Sequence, residues 1–150
     1  MATESEPLSK SWRLPLEKLP AIKTGKLNPD NLRIFRQAAE QIILNAFGEG
    51  VESHKLIHAQ SRVVDQILYH LWTTLISAKL PAWSLVAVGG YGRSELHPCS
   101  DIDLMILIDK EPQPEEIERI SRFISLIWDS GLELGHSVRT IQECVKQAKA

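Results

Sequence analysis

This chain has few cysteines, a net charge near zero and no long apolar run, and each of these features argues against a class of protein. The two cysteines, Cys99 and Cys144, form neither a disulfide framework nor a zinc-site spacing, which favours a reducing compartment. The longest hydrophobic region, residues 63–80, is interrupted by polar and charged side chains, so no stretch is expected to span a bilayer. The acidic, polar start lacks the pattern of a signal peptide. We therefore expect a cytoplasmic protein without a membrane partner.

The charge balance also argues against nucleic acid as a partner. With 17 basic and 19 acidic residues, the chain lacks the excess of Lys and Arg on which sequence-independent binding to nucleic acid rests. A single nucleotide remains compatible with this balance, because one triphosphate needs only a few hydrogen-bond donors and a metal ion.

The length of 150 residues and the hydrophobic share of 43% suit one compact domain with a substantial core. Residues 1–27 are rich in Pro, Ser and charge, and are predicted to form an extended lead-in. Apolar periodicity, capping residues and turn signals in residues 28–150 predict, in chain order, two helices, two strands, a helix, a third strand candidate and a last helix. Their expected ranges are about 28–48, 53–80, 84–88, 101–108, 112–129, 132–139 and 140 onward.

The predicted core includes the isoleucines of the 112–129 helix and three tryptophans. These tryptophans fit apolar faces better than base stacking. The residues are Ile117, Ile120, Ile124, Ile127, Trp72, Trp83 and Trp128.

Two aspartates at the start of the second strand are the first candidate for chemistry. Asp101 and Asp103 are two apart, a spacing that puts side chains on the same face of a strand. Neighbouring carboxylates repel, and a divalent cation such as Mg²⁺ offsets that repulsion. An isolated Asp-x-Asp is more often a solvated strand end or a turn. Here the pair adjoins an apolar run, residues 104–108, beside which unpartnered acids would be costly to bury.

A glycine-rich turn follows the first strand directly. Gly89, Gly90 and Gly92 allow backbone N–H groups to approach a phosphate closely, and Arg93 adds a charged donor. A plain tight turn is the simpler alternative. The dinucleotide-binding pattern fails because Glu95 stands where its third glycine should be, and no P-loop lysine follows.

Together these features predict a phosphate cradle and a metal site on neighbouring strands. The segment 86–104, VAVGGYGRSELHPCSDIDL, resembles the motif of the DNA polymerase beta nucleotidyltransferase superfamily. It is most similar to the bacterial uridylyltransferase/uridylyl-removing enzymes that modify the nitrogen-regulatory protein PII. A second segment, residues 126–140 (LIWDSGLELGHSVRT), resembles the same enzymes, and the likeness extends from about Phe35 onward.

This resemblance implies an α+β fold: a small mixed sheet backed by helices, with two helices preceding the nucleotidyltransferase core. It implies that Asp101 and Asp103 are catalytic and hold Mg²⁺, and that Gly89 and Gly90 line the UTP triphosphate. Two further residues, Arg93 and Ser100, are expected beside the nucleotide and the metal pair. The reaction implied is transfer of UMP from UTP to a tyrosine of PII, with release of pyrophosphate, in the control of nitrogen assimilation.

The chain departs from that family in two ways. Members are several times longer, so residues 28–150 are expected to hold the two helices and an incomplete nucleotidyltransferase domain. Many superfamily members also place a third carboxylate on a later strand, where this chain has Ser137, with Glu133 the closest acid. Another superfamily activity, such as adenylyl transfer, and an inactive fragment that only binds nucleotide and metal therefore remain alternatives. The base specificity is left open.

The remaining histidines and cysteines carry weaker signals. His54 and His58 are four apart on a helix but lack the H-E-x-x-H zinc pattern, so they are interpreted as surface histidines. His97 lies within the motif, where a substrate contact and a structural role are equally plausible. Cys99 has no evident base partner, which argues against a nucleophile.

Overall fold

The computed structural model describes residues 11–22 and 27–150, in which helices pack against a three-stranded mixed sheet. The strand order is β1-β2-β3, with β1 and β2 antiparallel and β2 and β3 parallel. The α+β fold expected from the sequence is confirmed. The elements are α1 (Pro29–Gly48), α2 (Ser53–Trp72), a π-helical turn (Thr73–Ser77), β1 (Ser84–Val88), α3 (Gly89–Gly92), β2 (Ile102–Ile108), α4 (Pro114–Asp129), β3 (Leu134–Thr140) and α5 (Ile141–Ala148).

Helix α1 begins as its local sequence predicts. The Asn28 side chain accepts a hydrogen bond from the backbone N–H of Asp30 at 2.9 Å, and Pro29 takes the first helical position. Its buried side chains lie at helical spacing: Leu32, Phe35 and Ala39 belong to the main core, and Ala46 belongs to a smaller cluster. Helix α2 contributes Val64, Ile67 and Leu71 to the main core.

Residues 11–22 also contribute to the core. They contain a short 3-10 helix, Leu16–Lys18, between two leucines whose side chains are buried, Leu14 and Leu19. Trp12 packs against the core from the same segment. This packing was not evident from the sequence, because the segment is too short and too irregular to show a period. The other part of the expected lead-in, residues 1–10 and 23–26, lies outside the described residues.

Strand β2 is buried on one face only. Ile102, Leu104, Ile106 and Ile108 are at most 3% exposed and belong to the main core, whereas Asp103 between them is exposed. Since side chains alternate along a strand, the aspartate must lie on the opposite face from these four. The sheet therefore presents Asp103 to solvent while its other face anchors the strand.

Helix α4 supplies the layer over the buried face of the sheet. Phe123 and Ile127 are fully buried, and Phe123 meets Trp72 edge to face with 5.5 Å between ring centroids. The inward positions predicted for Ile120 and Ile124 are confirmed.

Two core predictions are wrong. Ile117 is 50% exposed and Trp128 is 51% exposed. Ile117 lies in the first turn of α4, before the helix reaches the main core, and Trp128 lies at its last turn, where its ring contacts His136 edge to face. The periodic pattern identifies the apolar side of the helix, but it does not show how far along the helix that side is covered.

Helix α5 begins with the capping box that the sequence predicts. The Thr140 hydroxyl accepts from the N–H of Glu143 at 3.1 Å, and the Glu143 carboxylate accepts from the N–H of Thr140 at 2.7 Å. Within residues 11–22 and 27–150, every helix is too short or too polar to cross a membrane.

Candidate functional site

Strand register brings the glycine turn and the second aspartate together. Val88, the last residue of β1, pairs with Asp103 of β2, which pairs in turn with Gly135 of β3. The glycine turn starts immediately after Val88, so it leaves the sheet beside Asp103. The central strand of the sheet therefore presents this carboxylate between two glycines from different segments.

Gly89 and Gly135 leave space around the Asp103 carboxylate that any side chain at these positions would fill. A Cβ built on Gly89 would lie 2.9 Å from Asp103 Oδ2, and one built on Gly135 would lie 2.7 Å from Oδ1. Gly89 also has a φ of 62°, which L-residues rarely adopt. Both oxygens of the Asp103 carboxylate are thus flanked by backbone instead of side chains, and the carboxylate stays accessible.

Gly135 was not identified as a functional residue from the sequence. The available signal was a glycine inside a strand, which often marks the close approach of another group. That signal became specific only when the register placed Gly135 opposite Asp103.

Asp101 lies just before β2, which begins at Ile102 and not at Asp101 as predicted. It is exposed and lines an open cavity together with Trp128, Glu133 and Leu134. The N–H of Ile102 donates to the carbonyl of Glu133 at 2.9 Å and ties this edge to the segment before β3. Because Asp101 and Asp103 are both exposed, the expected cost of burying them does not arise.

The glycine turn is a compact helical turn, α3. The N–H of Glu95 donates to the Gly90 carbonyl at 2.9 Å, which closes the turn. A Cβ on Gly92 would lie 2.8 Å from the Ala87 carbonyl oxygen, so the turn folds back against β1. This close packing explains why Gly92 is a glycine, without requiring that it contact a ligand.

The other predicted nucleotide contacts lie in the exposed loop that joins α3 to β2. Arg93 forms an exposed ion pair with Glu95, with 3.5 Å between Nε and Oε2. Ser100 is exposed, and its N–H donates to the His97 carbonyl at 3.1 Å. Cys99, also exposed, has a φ of 63°. These side chains therefore stand on the connection that leads directly into the aspartate pair.

A third acid does not join the pair. Among residues 11–22 and 27–150, no three His, Cys, Asp or Glu side chains come together in a group that could hold a metal ion. Ser137 pairs with Met105 two positions from the Asp103–Gly135 pair, so it lies on the same sheet face as Asp103. The position aligned with the expected third carboxylate is on that face, but it carries a hydroxyl.

The donor set nevertheless fits a magnesium ion held with a nucleotide. Mg²⁺ prefers oxygen ligands and is usually bound by one or two carboxylates together with substrate phosphates and water. Asp101 and Asp103 offer two accessible carboxylates. Around Asp103, the absence of side chains on Gly89 and Gly135 leaves both carboxylate oxygens free of steric contact from these positions.

The two histidines of α2 have different partners in the structure. His54 is exposed and lies 3.3 Å from the Glu52 carboxylate. His58 Nδ1 lies 2.7 Å from the carbonyl oxygen of Ser94, in the glycine turn and the residues after it (residues 89–96), here called the motif loop. Both side chains are exposed, as the interpretation of surface histidines predicts. The contact of His58 with the motif loop was missed, because no local pattern links α2 to a loop over thirty residues away.

Residues 37–137 match the family model described as "Putative nucleotidyltransferase DUF294". The chain is 46% identical over 127 residues to a protein of Pseudomonas entomophila (strain L48) and 42% identical over 127 residues to one of Pseudomonas aeruginosa (strain LESB58). It is 38% identical over 130 residues to one of Haemophilus influenzae (strain PittEE). All three are named bifunctional uridylyltransferase/uridylyl-removing enzyme.

These matches cover 83% of this chain for the two Pseudomonas proteins and 87% for the Haemophilus protein, but only 14–15% of the relatives' own length. No solved structure matches the chain. The family match covers the segment 86–104 in full and the segment 126–140 up to residue 137, and the names of the relatives confirm the resemblance. The chain belongs to the DUF294 nucleotidyltransferase family and is similar to the N-terminal region of bifunctional uridylyltransferase/uridylyl-removing enzymes.

Proposed function

We propose that this chain is the triphosphate- and metal-binding part of a protein uridylyltransferase, which transfers UMP from UTP to a tyrosine of PII in the control of nitrogen assimilation. The observation that carries the proposal is the Asp103 carboxylate set between Gly89 and Gly135 at the start of the glycine turn. The uridylyl donor is supported by the names of the relatives, and the PII acceptor by the sequence resemblance.

Asp101 and Asp103 would hold the magnesium ion. The backbone of Gly89 and Gly90 would line the triphosphate, with Arg93 and Ser100 beside it. The ion would lower the barrier by neutralising charge on the phosphates and on the attacking and leaving oxygens. The exposure of both carboxylates allows a nucleotide to reach them from solvent.

The proposed reaction is an in-line displacement at the α-phosphorus of UTP. The tyrosine oxygen of PII forms the new P–O bond, the bond between the α-phosphorus and the α–β bridging oxygen breaks, and pyrophosphate leaves. The tyrosine proton passes to a base or to water. Among the described residues, the third acid that could act as that base is missing from the cluster. The chain's own contribution is to hold the triphosphate in line with the acceptor, which supplies a large part of the rate in such reactions.

A radiolabelled nucleotide panel tests the proposal directly. The chain is incubated with PII, Mg²⁺ and α-labelled UTP, ATP or CTP, and label on PII and pyrophosphate release are measured. We expect label from UTP, lost in Asp101→Ala and Asp103→Ala and retained in Glu118→Ala, which removes an exposed carboxylate on α4. Transfer from ATP alone would contradict the uridylyl assignment.

One specific observation favours a second function, nucleotide and metal binding without turnover. In the described part of the chain, no third acid joins Asp101 and Asp103 in a group that could hold a metal ion. This function predicts that UTP and Mn²⁺ bind, that both aspartate variants weaken the binding, and that neither label transfer nor pyrophosphate release occurs.

A further inference from the structure

Helix α2 contacts the motif loop through three side chains on one of its faces. The contacting residues of the helix are three and four apart, a spacing that aligns them along one side. They are His58, Ser61 and Asp65, and their partners in the loop are Ser94, Leu96 and Tyr91. The helix is not part of the sheet, so these contacts tie residues 91–96 to a second element besides the strands.

The first of these contacts joins Tyr91 and Asp65. The Tyr91 side chain is 7% exposed, and its hydroxyl donates to Asp65 Oδ1 at 2.5 Å. Burial, followed by this hydrogen bond and the charge of Asp65, raises the pKa of Tyr91. Tyr91 follows Gly89 and Gly90 directly, so the position of its ring fixes the path of the glycine turn.

The second contact satisfies a buried backbone group. The N–H of Leu96 donates to Ser61 Oγ at 3.1 Å, and the Ser61 hydroxyl donates to the carbonyl of Ile57 at 3.2 Å. Ser61 is 1% exposed and Leu96 is 3% exposed. A buried N–H without a partner is costly, so this serine secures the end of the loop to the helix.

The third contact stabilises an unfavourable backbone conformation. Ser94 has a φ of 57°, in the left-handed region that non-glycine residues seldom adopt. His58 Nδ1 donates to the Ser94 carbonyl at 2.7 Å. This bond holds the peptide after Ser94 in one orientation, beside the Arg93–Glu95 ion pair.

We propose that His58, Ser61 and Asp65 are positioning residues, which hold the residue 89–96 loop in the conformation that receives the triphosphate. The inference extends the proposed function and rests on it for the identity of the ligand. The anchoring itself depends only on the contacts between α2 and the loop. None of the three needs to touch the nucleotide, and each acts through a residue of the loop.

Two measurements on the chain test this inference: hydrogen–deuterium exchange of the backbone amides in residues 89–96, and the Kd of UTP in the presence of Mg²⁺. Asp65→Ala and Tyr91→Phe each remove one hydrogen bond, so we expect both to speed exchange in the loop and to raise the Kd by about two- to twelvefold. The double variant is expected to be no worse than either single variant, because both changes break the same bond. Asp65→Asn keeps an acceptor oxygen and should restore most of the affinity.

Tyr69→Phe is the matched control, since it removes a tyrosine hydroxyl from α2 at a position that is 72% exposed. It should leave both measurements unchanged. Unchanged loop exchange in Asp65→Ala, or faster exchange with an unchanged Kd of UTP, would overturn the inference. If the parent chain binds no UTP, the proposed function fails, and the exchange data alone then decide whether α2 holds the loop.

Discussion

Replacing Gly135 by alanine tests the geometry of the site with the smallest chemical change. The added methyl carbon would lie 2.7 Å from Asp103 Oδ1, whereas ordinary van der Waals contact begins at 3.4 Å. The carboxylate must therefore retreat by several tenths of an ångström. Gly135 suits this test better than Gly89, because Gly89 combines a similar contact with a φ of 62° that would add backbone strain.

The size of the effect follows from that displacement. A misplacement of about 1 Å at a reacting centre can cost about a hundredfold in rate. We therefore expect Gly135→Ala to lower kcat/KM for UMP transfer by about ten- to hundredfold and to weaken Mn²⁺ binding. The fold should tolerate the change, since Asp103 is exposed and can rotate, and alanine in a strand interior is favoured over glycine by about 0.5–1 kcal/mol. The Tm should stay within about 4 °C of the parent.

The assay compares label transfer to PII, calorimetric Mn²⁺ binding and thermal melting in Gly135→Ala and in Gly48→Ala. Gly48 is the matched control because a Cβ there meets nothing within 4 Å. If the effect acts through Asp103, adding Gly135→Ala to Asp103→Ala should cost no further Mn²⁺ affinity. Equal transfer rates and equal Mn²⁺ affinities in Gly135→Ala and Gly48→Ala would refute the reasoning.

Three further predictions concern stability, each measured by thermal or denaturant unfolding. Folding raises the pKa of Tyr91, so the protonated side chain stabilises the folded state. This contribution to the free energy of unfolding is complete below pH 10. It is lost as the pH rises above 10, because tyrosines of the unfolded chain ionise first. Tyr91→Phe should flatten that alkaline loss by up to about 1.4 kcal/mol per pH unit, and an unchanged slope would contradict it. Phe123→Ala should cost about 3–5 kcal/mol because the ring is fully buried, and Trp128→Ala clearly less because its ring is half exposed; equal losses would show that the core is misassigned. Thr140→Ala removes a helix cap and should cost about 1 kcal/mol, whereas no loss would mean that the capping box contributes nothing.

Much of the fold follows from local sequence. The limits of β1 and the beginnings of α1, α2 and α5 agree with the sequence prediction, because a short apolar run, a cap or a turn acts over four or five residues. Two boundaries differ from the prediction: α2 ends several residues before the expected position, and β3 starts two residues after it. The sequence predicted one helix up to Pro81, but the α-helix ends at Trp72 and a π-helical turn follows. Local patterns do not show such changes in helical hydrogen bonding.

The candidate site was likewise predicted only in part from the sequence. The order of a strand, a glycine turn and an Asp-x-Asp pair along 20 residues predicted a phosphate cradle beside a metal site. The resemblance of segment 86–104 implied the nucleotidyltransferase family, and the family match confirms it. The roles of Gly89, Gly90, Arg93, Ser100, Asp101 and Asp103 stay predictions until the variants are measured.

Tertiary structure alone decided which distant residues complete that site. Gly135 lies 32 positions after Asp103 along the chain and becomes its neighbour only through the pairing of β2 with β3. Asp65 reaches Tyr91 in the same way, through the packing of α2 against the motif loop. Periodicity along a chain records which face of an element is apolar, but register and packing determine what that face meets. The sequence thus determined the identity of the motif and of most elements, whereas the fold determined the surroundings of the carboxylate.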